Sequence, residues 1–169
     1  MSIVITLPVL LTGWAGDANW RHMMIADPQP AGEPLAVVHR LQAATNAHDL
    51  EALVGCFTAD YLSEIPLHPS RGFRGGEQVR RNWAQILGGV PDLHSELIRE
   101  AVDGNVAWAE WEWTGTRRDG APHLMRGTTI VGVEGERIAW ARFYMEPVVD
   151  DGVRIDAAVA QAVAPASDR

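Results

Sequence analysis

The segment Val106-Ala107-Trp108-Ala109-Glu110-Trp111-Glu112-Trp113 alternates with a period of two, so one face carries Ala107, Ala109, Trp111 and Trp113 and the other Val106, Trp108, Glu110 and Glu112. The odd-numbered face is the apolar one and is expected to point inward. The same period continues on both sides. Strands are predicted over Leu93–Val102, Val106–Thr116, His123–Val133 and Arg137–Val149, separated by Asp103-Gly104-Asn105, Arg118-Asp119-Gly120 and Glu134-Gly135-Glu136, each of which suits a hairpin turn. Upstream the period becomes helical. Val37, Leu41 and Ala44 predict a helix over 33–47, and Asp49 reads as the N-cap of a short second helix with Leu50, Leu53, Val54 and Phe57 on one side. Tyr61–Leu67 reads as a strand ended by Pro66 and Pro69, and Arg71–Glu77 as a turn into a third helix with the stripe Val79, Trp83, Ile86 and Leu87. Three helices followed by a four-strand meander make an α+β domain.

The composition narrows the function classes. The chain has 169 residues, 47% of them apolar and 21% charged, which suits one globular domain. Its 22 acidic residues against 14 basic ones give a net charge of −8, which repels phosphate backbones and argues against nucleic acid as a partner. The single cysteine, Cys56, can form neither an internal disulfide nor a thiolate metal site, and points to a cytoplasmic protein. Six histidines show no metal-ligand spacing. No nucleotide or phosphate fingerprint occurs, so neither a metal nor a cofactor is expected. Ile3–Ala15 is apolar but interrupted by Pro8 and Gly13 and too short to span a bilayer. Residues 1–32 are therefore read as an N-terminal extension and linker, 33–149 as the folded domain, and 150–169 as a tail with a short helix bearing Ile155, Val159 and Val163. A start at Met23 is one alternative for the N-terminus.

The run Val37-Val38-His39-Arg40-Leu41-Gln42-Ala43-Ala44-Thr45-Asn46-Ala47-His48-Asp49-Leu50, then Phe57-Thr58-Ala59-Asp60 and Gly75-Gly76-Glu77, resembles the opening of the nuclear-transport-factor-2-like superfamily, in particular its SnoaL-like and ketosteroid-isomerase-like branches. Val102–Ala107 and Gly135–Ile138 are similar to the family's hairpin turns. The resemblance implies a strongly curved sheet wrapped around helices, a cone with an apolar cavity, and commonly a homodimer. The isomerase's helix-one tyrosine falls on Leu41, and its catalytic aspartate, just before a proline, falls on Ile65. Its second oxyanion donor falls near Arg126 or Gly127, where no acid occurs, so the chain is not a ketosteroid isomerase. The epoxide-hydrolase acid-arginine-acid arrangement falls on Trp113, Trp111 and Phe143, which excludes that chemistry as well. The polyketide-cyclase branch keeps an acid eight residues after the position of Ile138, and here that residue is Glu146.

Glu146 is thus the first candidate base, because a carboxylate enclosed by apolar walls loses hydration and becomes a better proton acceptor. Tyr144 or His123 would supply the oxygen-side donor and Arg126 an anion contact. The alternative is that Arg142 and Glu146 pair on the outer face while Ala139, Ala141, Phe143 and Met145 fill the core. Glu64 and His68 form a second acid–imidazole candidate near the cavity mouth. Trp83, Trp111, Trp113, Ile65, Leu41 and Phe143 are expected to wall a pocket for a flat apolar or aromatic molecule. The sequence supports two functions: a ligand-binding domain with cofactor-independent proton transfer of the isomerase or cyclase kind, or a non-catalytic binding or dimerisation module whose cavity tryptophan fills.

Overall fold

The computed structural model describes residues 34–164, so the N-terminal extension, including Met23, lies outside the described residues. Helix α1 (Pro34–Asn46) buries Val37, Val38, Ala44 and Thr45 along one stripe. Helix α2 (Leu50–Gly55) begins where Asp49 accepts a hydrogen bond from the Ala52 N–H at 2.9 Å, the cap expected from the sequence. Strand β1 (Phe57–Glu64) leads through a single 3-10 turn (Pro69–Arg71) to the short β2 (Phe73–Arg74) and then α3 (Gly76–Gly89). The meander follows as β3 (His94–Asp103), β4 (Val106–Thr116), β5 (Pro122–Glu134) and β6 (Arg137–Pro147), and α4 (Ile155–Ala162) closes the described chain.

All six strands form one sheet in the order β2-β1-β6-β5-β4-β3. The meander pairs antiparallel, whereas β1 runs parallel to β6, with Phe57 opposite Ile138 and Ser63 opposite Ala141. Register shifts between Leu97 and Arg99 and between Gly132 and Val133 interrupt the ladders, the local irregularity by which a sheet acquires bend and extra twist. The concave side holds α1 and α3. Asn46 fixes α1 there, donating to the Ser95 carbonyl at 2.9 Å and accepting from the Ser95 N–H at 2.7 Å.

The alternation in β4 holds residue by residue: Ala107, Ala109, Trp111 and Trp113 are all buried, while Trp108 is 47% exposed. Leu53 and Ile138 are completely enclosed, and each contributes about 1.5–3 kcal/mol by leaving water.

Two sequence expectations need correction. The first strand starts at Phe57, four residues before the expected Tyr61, and stops at Glu64. Phe57 lies three and four residues after Val54 and Leu53 and so matches a helical stripe, but its place is set across the sheet. Ile138 donates its N–H to the Cys56 carbonyl at 2.8 Å, a contact 82 positions away that no local pattern reveals. Phe73–Arg74, expected within a turn, pairs with β1 as an edge strand.

Candidate functional site

Between the concave face of the sheet, α1 and α3 lies a cavity of about 980 Å³. Its walls follow from strand parity. The inward residues Trp111 and Trp113 of β4, Thr129 and Val131 of β5, and Ala141 and Phe143 of β6 meet Leu41 of α1 and Trp83 of α3. Trp113 is the hinge of the aromatic wall, with its ring 5.2 Å from Trp83 and 6.0 Å from Phe143. Trp111 is held by its own polar end, donating Nε1–H to Thr129 Oγ1 at 2.9 Å in a buried hydrogen bond. A second aromatic run, Phe57–Tyr61–Phe73, covers the β1 side, with centroids 4.7 Å and 5.9 Å apart. Six of the expected pocket residues, Trp83, Trp111, Trp113, Ile65, Leu41 and Phe143, line this space together with His123. Trp83, Trp111 and Trp113 line the cavity without filling it, unlike the alternative reading in which tryptophan fills the cone.

Glu146, Tyr144 and Arg126 do not line it. On β6 the concave positions are Ala141, Phe143 and Met145, so Glu146 and Tyr144 belong to the opposite face. There Glu146 lies 3.0 Å from His68, Arg126 pairs with Glu112, and Arg142 sits 3.1 Å from Glu64 without the alignment of a hydrogen bond. The outer pairing foreseen for Arg142 and Glu146 therefore exists with different partners, and His68 and Glu64 belong to this face as well. The expectation of a cavity base at Glu146 is corrected by strand parity, which a one-residue slip in a sequence reading inverts.

The residues that take over were partly missed. Tyr61 lines the cavity and is buried, which pushes its phenol up to about 12, opposed by the neighbouring Ser63 hydroxyl. His123 keeps its imidazole below the ordinary value, first because of burial and second because of the Arg117 charge beside it. Its Nε2 is shielded and has no hydrogen-bond partner, so a proton there would meet neither water nor an acceptor. Trp113 Nε1 is shielded and unpartnered too. Arg117, Thr45, Ser63, Ser95 and, on α3, Asn82 and Gln85 complete the polar lining, and no aspartate or glutamate is among the lining residues. The signal for Asn82 was present: with Ile86 and Gly89 it keeps the i, i+4, i+7 spacing of one helix face. Among the described residues no cluster of histidine, cysteine, aspartate or glutamate could hold a metal ion, and no helix is long and apolar enough to cross a membrane.

The family model described as the SnoaL-like domain matches residues 38–141, more than half of the chain. The chain belongs to the SnoaL-like family. No curated protein matches it. Among solved structures, a putative SnoaL-like polyketide cyclase from Jannaschia sp. CCS1 is 18% identical, with a TM-score of 0.60 over 83% of this chain and 99% of that one. A hypothetical protein with a ketosteroid isomerase-like fold from Catenulispora acidiphila, solved in complex with trimethylamine, is 19% identical, with a TM-score of 0.57 over 80% of this chain and 95% of that one. A putative polyketide cyclase from Sinorhizobium meliloti is 22% identical, with a TM-score of 0.52 over 66% and 94%. These likenesses show the fold alone, a curved α+β arrangement of the ketosteroid isomerase-like kind.

Proposed function

We propose that this SnoaL-like protein binds a small apolar or aromatic molecule in its cavity and carries out cofactor-independent proton transfer on an enolisable ligand, a reaction of the isomerase or cyclase kind. The observation that carries the reading is the composition of the wall. In an aromatic cavity of about 980 Å³ with no carboxylate, His123 is the one lining imidazole and the one side chain there suited to accept a proton. A neutral imidazole accepts the proton, and the Tyr61 phenol, which burial keeps protonated, can donate a hydrogen bond to an oxygen that gains charge. The base is thus His123 in place of Glu146. A cytoplasmic setting and a homodimer belong to the same proposal.

The test is α-proton exchange of 2-tetralone, a flat enolisable ketone, followed by NMR in heavy water. The protein is expected to accelerate exchange, His123→Ala to lower the acceleration about 100-fold or more, and Glu146→Gln to leave it unchanged. Equal losses in both variants would refute the assignment. Binding without acceleration in the unaltered protein favours the non-catalytic module.

A further inference from the structure

We propose that the molecule this cavity takes is an amphiphile with one carboxylate, its apolar or aromatic body against the tryptophan wall and its carboxylate at the end bounded by Arg117. The inference rests on the binding reading above and adds the charge and the orientation of the ligand.

Charge is distributed unevenly along β6. Ile138 at the start of that strand pairs with Phe57, and neither carries a charge. At the other end of β6, Pro147 pairs with Met125, next to the start of β5 and the end of β4. Here Gly115 stands opposite His123 and Thr116 opposite Pro122, so Arg117 and His123 emerge from one hairpin end. Gln85 approaches from the last turns of α3. Arg117 and His123 therefore share one end of the cavity, and Arg117 is the only cation among the lining residues.

The hairpin end is held in place. Arg117 donates its N–H to the Ala121 carbonyl at 2.9 Å, Arg118 donates its backbone N–H to the Gly89 carbonyl at 3.1 Å, and the Arg118 side chain bonds the Gly88 carbonyl. These contacts satisfy terminal carbonyls of α3 and clamp that helix to the hairpin. Two acids lie nearby. Asp92 is committed to the Thr116 N–H at 2.6 Å, and Asp119 lies 3.6 Å from Arg117 Nε but is 69% exposed, a weak pair that a ligand carboxylate displaces. A carboxylate beside Arg117 gains charge-assisted hydrogen bonds, whereas an ammonium group there meets a cation and no lining acid.

The test is isothermal titration calorimetry with three probes of one shape: 2-naphthoate, 2-naphthalenemethanol and 2-naphthylmethylammonium. Naphthoate is expected to bind about tenfold more tightly than the alcohol, and the ammonium compound to bind more weakly than both. Arg117→Gln is expected to bring naphthoate to the alcohol's affinity without changing the alcohol's, and Arg117→Lys to keep part of the preference. If the alcohol or the ammonium compound equals naphthoate, or if Arg117→Gln weakens all three alike, the inference is overturned while the cavity reading stands. If none of the three binds, the cavity reading falls and takes the inference with it.

Discussion

His123 and Tyr61 show how one cavity sets two titrating groups in opposite directions by the same cause. Burial disfavours whichever form is charged, so it lowers the imidazole and raises the phenol, and both groups stay neutral at pH 7. For Tyr61 the sign of the stability effect follows. Its folded-state value of about 12 lies above the ordinary 10, so the neutral phenol's contribution is complete below pH 10 and is lost as pH rises toward 12. The shift corresponds to about 2–3 kcal/mol. A tyrosinate absorbance titration is expected to show one of the two phenols resisting ionisation until near pH 12 or until the chain unfolds. Two ionisations near pH 10 in the folded protein would contradict the buried phenol. At this scale the sequence was legible wherever parity was unambiguous: Trp111 and Trp113 fall on the buried face as their alternation requires. It misled at Glu146, because an offset of eight residues from Ile138 does not specify which face of β6 that residue takes.

At the scale of elements, the helices and the meander follow from period and turn chemistry, since hydrophobic spacing and glycine turns are local. Strand β1 and the edge strand β2 were harder because their positions come from partners far along the chain, Phe57 on Ile138 and Leu62 on Arg74. Two glycines illustrate the difference between a local and a packed requirement. Gly127 has φ +151°, and a Cβ there would overlap the backbone of Tyr144 and Met145 on the neighbouring strand. Gly88 lies in α3, and a Cβ on it would meet nothing within 4 Å. Gly127→Ala is expected to lower stability by about 2–4 kcal/mol, whereas Gly88→Ala is neutral or stabilises by up to about 1 kcal/mol. Urea denaturation midpoints check this, and similar midpoints for the two variants would show that the β5–β6 contact is looser than described.

The whole molecule is a sheet with two unlike faces. The concave face closes on α1, α3 and the cavity. The outer face is divided by cross-strand rows. One row, Ala101–Trp108–Ile130, which ends at the charged Arg142, lies beside Val106–Gly132–Trp140–Leu62, and the two form an apolar band in which the Trp140 indole covers Gly132. The next rows are polar and end in the Glu112–Arg126 pair. An apolar band with an exposed tryptophan and a charged border suits contact with a second copy across a two-fold axis. Light scattering is expected to give a dimer mass, and Trp108→Glu a monomer with its helical circular dichroism intact. A wild-type monomer at 100 μM, or no change on substitution, would remove the homodimer from the account.

The same division gives the most direct test of the central claim, that the concave cavity is the ligand site. Each indole N–H gives its own resonance in a ¹H–¹⁵N spectrum, and single Trp→Phe variants assign them. On titration with 2-naphthoate, the Trp83, Trp111 and Trp113 resonances are expected to shift together and saturate with one Kd, while those of Trp108 and Trp140 stay in place. Shifts confined to Trp108 and Trp140, or none at saturating ligand, would contradict the cavity as the binding site.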